Sequence, residues 1–172
     1  MDDSKPKYLN SPETPIFNKR QLLFALYQAL PEIWRTRQVI MVEGYMDAIS
    51  LHAHGVTNAV ASLGTAFTIE QARLLKRYAD EVVFSYDMDA AGQNATRRAL
   101  EIAGTTGLKM RVLHLREGKD PDEFVNKYGG EAYKEAVAQA IPALDYLFNS
   151  LLETHDRTSL EGQHLILNDM FT

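Results

Sequence analysis

The chain has no cysteine among its 172 residues, so disulfides and thiolate metal sites are excluded and an intracellular setting is expected. It has no apolar run near the roughly 18 residues that a membrane-spanning helix needs. Its N-terminus, Met1-Asp-Asp-Ser-Lys-Pro6, is not a signal peptide, so the expectation is a soluble, cytoplasmic protein with no membrane partner. The five histidines (52, 54, 114, 155 and 164) show no metal-ligand spacing beside acids, and no zinc is expected. An excess of positive charge is also missing. Against 23 acidic residues stand 18 basic ones, a net charge of −5 that announces no nucleic-acid binding by itself. There is neither a Gly-x-Gly-x-x-Gly nor a Walker lysine, and Ser62-Leu-Gly-Thr65 alone is no phosphate motif. Internal repeats and low-complexity segments are absent too.

What the chain does contain is an alternation of two periods. Residues 1–17 are polar and broken by Pro6, Pro12 and Pro15, which predicts extended or looped chain. Asn18 to Leu30 places Leu22, Leu23, Leu26 and Leu30 at helical spacing, with Pro31 expected to close that helix. Val39–Val42, Ala59–Ser62, Val82–Tyr86 and Lys109–His114 read as four strands, the first and third as buried parallel strands. Between them lie helices over about 45–54, 68–78 and 90–103, the second opened by a capping box of Thr68 and Gln71. After a polar loop at 116–122, helical pieces are expected over about 121–128, 131–140 and 142–154. Gly129-Gly130 and Pro142 supply the breaks, and a further helix starts near 159. Strands alternating with helices predict an α/β fold, a parallel sheet of about four strands sandwiched by helices and followed by a C-terminal helical subdomain. The expected division is 1–35 as an N-terminal segment with its helix, 36–118 as the sheet domain, and 119–172 as the start of the helical subdomain.

The acids concentrate where such a sheet binds ligands, at the carboxyl ends of its strands. Glu43 follows the first strand directly, and Asp47 comes four residues later. Val82-Val-Phe-Ser-Tyr-Asp-Met-Asp89 ends the third strand in Asp87 and Asp89, which share a side if the backbone stays extended. Asp120 and Asp122 lie beyond the fourth strand. Carboxylates without thiolate or histidine suit Mg²⁺ or Mn²⁺, and such ions suit phosphoryl or nucleotidyl transfer. Each acid also has a structural reading. Asp47 reads equally as an exposed helix residue. Asp120 reads as an N-cap ahead of Pro121, with Glu123 completing a capping box, and Asp89 as a cap of the helix that follows it. Glu43, Asp87 and Asp89 end apolar strands, where an unpartnered carboxylate is costly, and are the principal metal candidates.

A glutamate after one strand and Asp-x-Asp after a later one is the Toprim signature of topoisomerases, primases and some nucleases. Lys7-Tyr-Leu-Asn-Ser-Pro-Glu-Thr14, Val42-Glu-Gly-Tyr-Met-Asp47, Ala59-Val-Ala-Ser-Leu-Gly-Thr65 and Gly118-Lys-Asp-Pro-Asp122 narrow it. In this order and spacing the chain resembles the catalytic core of bacterial DnaG-type DNA primases from about Lys5 to about Leu152. The resemblance implies a nucleotidyltransferase, with Mg²⁺-dependent synthesis of short RNA primers from ribonucleoside triphosphates on single-stranded DNA at the replication fork. It implies Glu43, Asp87 and Asp89 as catalytic metal ligands, Asp47, Asp120 and Asp122 as a second acidic cluster, and Lys7, Asn10 and Lys19 as nucleotide or template contacts. Replicative helicase and single-strand-binding protein are implied as partners through parts of the longer protein. The chain departs from the family in Met88 and Ala90, where members commonly carry glycine and a basic or polar residue. The zinc-binding domain, most of the basic subdomain and the helicase-binding domain of the family also have no counterpart in this sequence, which implies weak or no activity in isolation. Setting the six acids aside from the 23 leaves 17 against 18 basic residues, a nearly neutral remainder that is a poor template platform. The alternatives are a Toprim nuclease or topoisomerase-like strand-breaking enzyme and a non-catalytic metal- or nucleotide-binding module.

Overall fold

A computed structural model describes residues 12, 14, 17–62, 66–86, 98–99, 101–102, 105–115 and 120–171. Four parallel strands, β1 (Gln38–Val42), β2 (Ala59–Ala61), β3 (Glu81–Ser85) and β4 (Lys109–Val112), form the sheet in the order β2-β1-β3-β4. β1 to β4 are the four strands the sequence predicts, each within two residues of the expected ends. A fifth strand, β5 (Ile141–Pro142), was not anticipated. It pairs antiparallel with β4, Val112 facing Ile141. Two residues ending in proline carry no readable period, and proline is tolerated there because an outer strand can spare its N–H.

Side-chain alternation divides the core. Val39, Met41, Val60, Val82, Phe84, Met110 and Val112 face one layer of helices. Ile40, Val42, Ala59, Ala61 and Val83 face the other. The first layer contains α1 (Leu26–Thr36), through Ala29 and Ile33, and α3 (Ile69–Lys76), through Ala72 and Leu75. The second contains α2 (Tyr45–Ala53), through Ala48 and Leu51, and α4 (Pro121–Ala138), through Val125, Tyr133 and Val137. Burial on both faces explains why the strands read as continuous apolar runs. α5 (Ala143–Thr154) and α6 (Leu160–Phe171) form a hairpin around Leu147, Leu151 and Ile166. Among the described residues no helix is long and apolar enough to cross a membrane.

The first helix differs from expectation. It begins at Leu26 rather than near Asn18 and continues through Pro31 to Thr36. The chain before it is committed elsewhere. Phe24 exchanges backbone hydrogen bonds with Ala61 (2.9 and 3.2 Å). The buried Gln71 amide donates to the carbonyls of Lys19 and Leu22 (3.1 and 3.0 Å), and Thr68 Oγ1 donates to that of Arg20 (2.6 Å). Pro31 removes a hydrogen bond to the Tyr27 carbonyl, but both residues lie on the exposed face, where water can satisfy that oxygen. Helix α1 starts from Ala25, whose φ of 62° is left-handed, a conformation that costs an L-residue about 1–2 kcal/mol. Ala25→Gly is therefore expected to stabilise the chain by about 1 kcal/mol, read as a rise in chemical-denaturation midpoint at unchanged slope.

The capping box of Thr68 and Gln71 is present, with reciprocal hydrogen bonds of 3.1 Å. The predicted Gly129-Gly130 break is a kink within α4, where Gly129 has φ 83° and ψ 168°. Gly130 then packs so closely on α2 that an added Cβ would lie 1.9 Å from the His54 carbonyl oxygen.

Candidate active site

Strand order creates the site. β1 connects onward to β2 on one side, while β3 returns on its other side, so the sheet has a topological switch point at the carboxyl end of β1. Val42 is level with Ala61 and with Ser85, and the next residues out of the sheet are Ser62, Glu43 and Tyr86. Glu43 is exposed, Ser62 buried and Tyr86 partly buried. Tyr86 packs edge-on against Phe84, ring centroids 5.1 Å apart. Burial, and then the nearby Glu43 charge, push the Tyr86 hydroxyl well above the ordinary tyrosine range, against a smaller lowering by Ser62. The expected ligands Asp87 and Asp89, and the expected contacts Lys7 and Asn10, lie outside the described residues.

On the opposite face, Tyr133 is fully buried and donates its hydroxyl to Ser85 Oγ at 2.8 Å. Burial is the main cause of its raised pKa, with the Asp47 charge adding to it. Asp47 accepts from the Gly44 backbone N–H (3.1 Å) in the first turn of α2, where a negative charge favours the helix. Asp122 accepts a very short hydrogen bond from Ser50 Oγ of α2 and another from Asn126 Nδ2 (2.8 Å). Since Asp47 and Ser50 are three apart on one helix face, this contact brings Asp122 to the side of Asp47. Asp120 is the N-cap of α4, its carboxylate accepting from Glu123 N at 2.8 Å ahead of Pro121. All three acids of the second cluster thus make structural hydrogen bonds. Among the described residues, no three acidic or histidine side chains converge as a metal-binding group.

Lys19 is half-buried, its carbonyl held at the start of α3 and hence at the carboxyl end of the sheet. A cleft of about 690 Å³ opens beside it, lined by Arg20, Thr68, Glu70, Arg98 and Glu101 among others. Its charges balance. Ser62, Ser85, Tyr86 and Tyr133 are polar groups around the strand ends to which the sequence reading gave no part in the site. Alternation alone aligns Ser62, Glu43 and Tyr86 only once the strand order is known.

A Toprim-like family profile matches residues 40–125, and a profile of the N-terminal domain of the DNA primase catalytic core matches residues 1–30. A DNA primase of Clostridium acetobutylicum is 53% identical over 154 residues, 89% of this chain and 26% of that protein. One of Escherichia coli is 42% identical over 166 residues, 95% of this chain and 29% of that protein. Among solved structures, a DNA primase domain from Pseudomonas aeruginosa superposes with a TM-score of 0.83 at 42% identity, covering 96% of this chain and 53% of that one. A DnaG primase catalytic domain bound to ssDNA gives 0.82 at 41%, covering 95% and 54%. The chain thus spans about a quarter of the length of these two relatives and about half of the solved domains.

Proposed function

Because this chain belongs to the DnaG-type DNA primases, as a Toprim-bearing part of their catalytic core, we propose that it carries the metal-binding half of a primer-synthesis site. The reaction is attack of a primer 3′-hydroxyl on the α-phosphate of an incoming ribonucleoside triphosphate, with release of pyrophosphate and single-stranded DNA as template. One observation carries the reading. Glu43 emerges exposed at the switch point, level with the strand end that leads through Tyr86 straight into Asp87 and Asp89.

The donor chemistry fits a hard divalent ion: carboxylate oxygens, that of Glu43 exposed at a strand end, in a chain without a thiol. Glu43, Asp87 and Asp89 would hold Mg²⁺ or Mn²⁺, with Asp47, Asp120 and Asp122 as a second acidic group. When bound, such an ion supplies positive charge to offset that developing on the transferred phosphoryl group. The residues of the chain do the rest by placement. β1 sets Glu43 at the rim, the Gln71 amide of α3 holds the Lys19 carbonyl there, and Lys7 and Asn10 would contribute to nucleotide or template contact. Template grip is expected mainly from basic parts that the relatives carry outside the matched span, since the remainder of this chain is close to neutral.

Primer synthesis on single-stranded DNA, assayed with the chain alone and with the chain joined to the upstream basic segment of a relative, tests the reading. The longer form is expected to make short RNA only with Mg²⁺ or Mn²⁺ present and to lose all product on chelation, and the chain alone to be far weaker. Mg²⁺-dependent nicking of supercoiled DNA without primer synthesis would overturn it in favour of a strand-breaking enzyme.

A further inference from the structure

The opposite end of the sheet carries a surface that the acidic rim does not use. Gln38, Glu81 and Lys109 stand level at the amino ends of β1, β3 and β4. At the rise of an extended strand this end is roughly 15 Å from Glu43. Helices α1 and α3 both finish there. Trp34, in the last turn of α1, is 57% exposed although its ring meets that of Tyr78 at 6.4 Å. Six exposed cations surround the two rings: Arg35 and Arg37 at the end of α1, Arg73, Lys76 and Arg77 at the end of α3, and Lys109 opening β4.

The surface is locked in place. Arg37 donates to the Tyr78 carbonyl at 2.6 Å and to both Asp80 carboxylate oxygens at 3.2 Å. Lys76 donates to the Gly107 carbonyl at 2.9 Å, and the Lys109 backbone N–H to that of Asp80 at 3.0 Å. Two carboxylates answer the six cations, Glu32 pairing with Arg35 and Asp80 with Arg37 and Lys76. Glu81 is turned to Arg111. Among the described residues Arg73, Arg77 and Lys109 make no ion pair. Cations suit the carboxyl end of a helix, which accounts for each of them singly. It does not account for a tryptophan left in water among them.

We infer that this end of the sheet is a second seat for single-stranded nucleic acid, Trp34 stacking a base while Arg73, Arg77 and Lys109 receive phosphates. The sign of the charge selects a polyanion, against a net charge of −5 for the whole chain. An exposed aromatic ring beside unpaired cations is the combination that holds single strands, because every base offers a face and every phosphate a charge. A duplex keeps its base faces stacked away from such a ring. An acidic protein segment would satisfy the cations and leave the indole unused. The seat needs no metal and does not rest on the reading of Glu43.

Trp34 is the only tryptophan of the chain, so its fluorescence reports on this surface alone. With a chelator present and at low salt, an oligothymidylate of about 16 nucleotides is expected to quench Trp34. Labelled, the same strand should gain anisotropy along the same curve. Arg73→Ala combined with Arg77→Ala is expected to weaken binding about 10-fold. The slope of log affinity against log salt should then fall by about 1.4, two phosphate contacts' worth. Trp34→Ala is expected to lose about 10-fold by anisotropy and Trp34→Phe to recover most of it. All the changed side chains are exposed, and unaltered thermal midpoints would confirm that the variants fold. No binding of the strand, anisotropy gained without quenching, or full affinity in the folded double variant overturns the inference and leaves the metal reading standing. Quenching by polyglutamate as strong as by the oligonucleotide overturns it too, in favour of an acidic protein segment.

Discussion

Glu43→Gln in a full-length primase carrying this core is expected to lower primer synthesis by about 10³-fold, the several kcal/mol that a displaced catalytic ion supplies. Folding should not suffer. Glu43 is exposed, and the strand it follows is held by Val39, Ile40, Met41 and Val42, all buried. Glutamine keeps the length of the side chain and its hydrogen-bonding capacity while removing the charge. If Asp87 and Asp89 crowd the same ion, removing one negative charge also relieves repulsion in the metal-free protein. The thermal midpoint without metal should therefore stay level or rise as activity disappears, the trade of stability for function expected of a charged site. Primer yield on single-stranded DNA and a melting curve on the same preparation check both halves. Retained synthesis, or loss of synthesis together with unfolding, would contradict the assignment.

The largest effect on stability is expected from Gly130→Ala. An alanine methyl there would lie 1.9 Å from the His54 carbonyl oxygen at the end of α2, and backbone cannot swing aside as a flexible side chain can. Separating α2 from α4 enough to admit the methyl is expected to cost about 2–3 kcal/mol. In a chain of this size that lowers the thermal midpoint by about 5–10 °C, measurable by scanning calorimetry. The same displacement would strain the Ser50–Asp122 hydrogen bond and the Tyr133–Ser85 bond across the layer. Loss of stability would then arrive together with disturbance of the strand end beside the site.

Much of the fold was legible because parallel strands buried on both faces leave a strong mark. Val39-Ile-Met-Val42 and Val82-Val-Phe-Ser85 have no polar side to confuse the reading. Thr68 with Gln71, and Gly129 with Gly130, announce a helix start and a kink through local chemistry alone. The N-terminal helix was misplaced for a non-local reason. Leu22 and Leu23 have helical spacing, but Gln71, fifty residues away, captures the backbone around them. β5 depends entirely on its partner β4. At the site, an acid at the end of an apolar run singled out Glu43, and the capping pattern before Pro121 correctly offered Asp120 a structural part. That Ser62, Glu43 and Tyr86 leave the sheet side by side was illegible because it follows from the order β2-β1-β3, which no period along the chain encodes.

The bridge between Phe24 and Ala61 has a consequence for solubility. Among the described residues, β2 is the outermost parallel strand on its side, and at the far side β4 is followed only by Ile141 and Pro142. Each rim is thus blocked by a borrowed piece of backbone rather than by a full strand, one of them ending in a residue that cannot donate a hydrogen bond. An open strand edge is a template for pairing with another molecule. Phe24 therefore covers the open edge of β2 at Ala61, a duty separate from any contact Lys19 makes with a nucleotide. A primase core trimmed past Phe24 would keep its acids and lose its protection against sticking to its own copies.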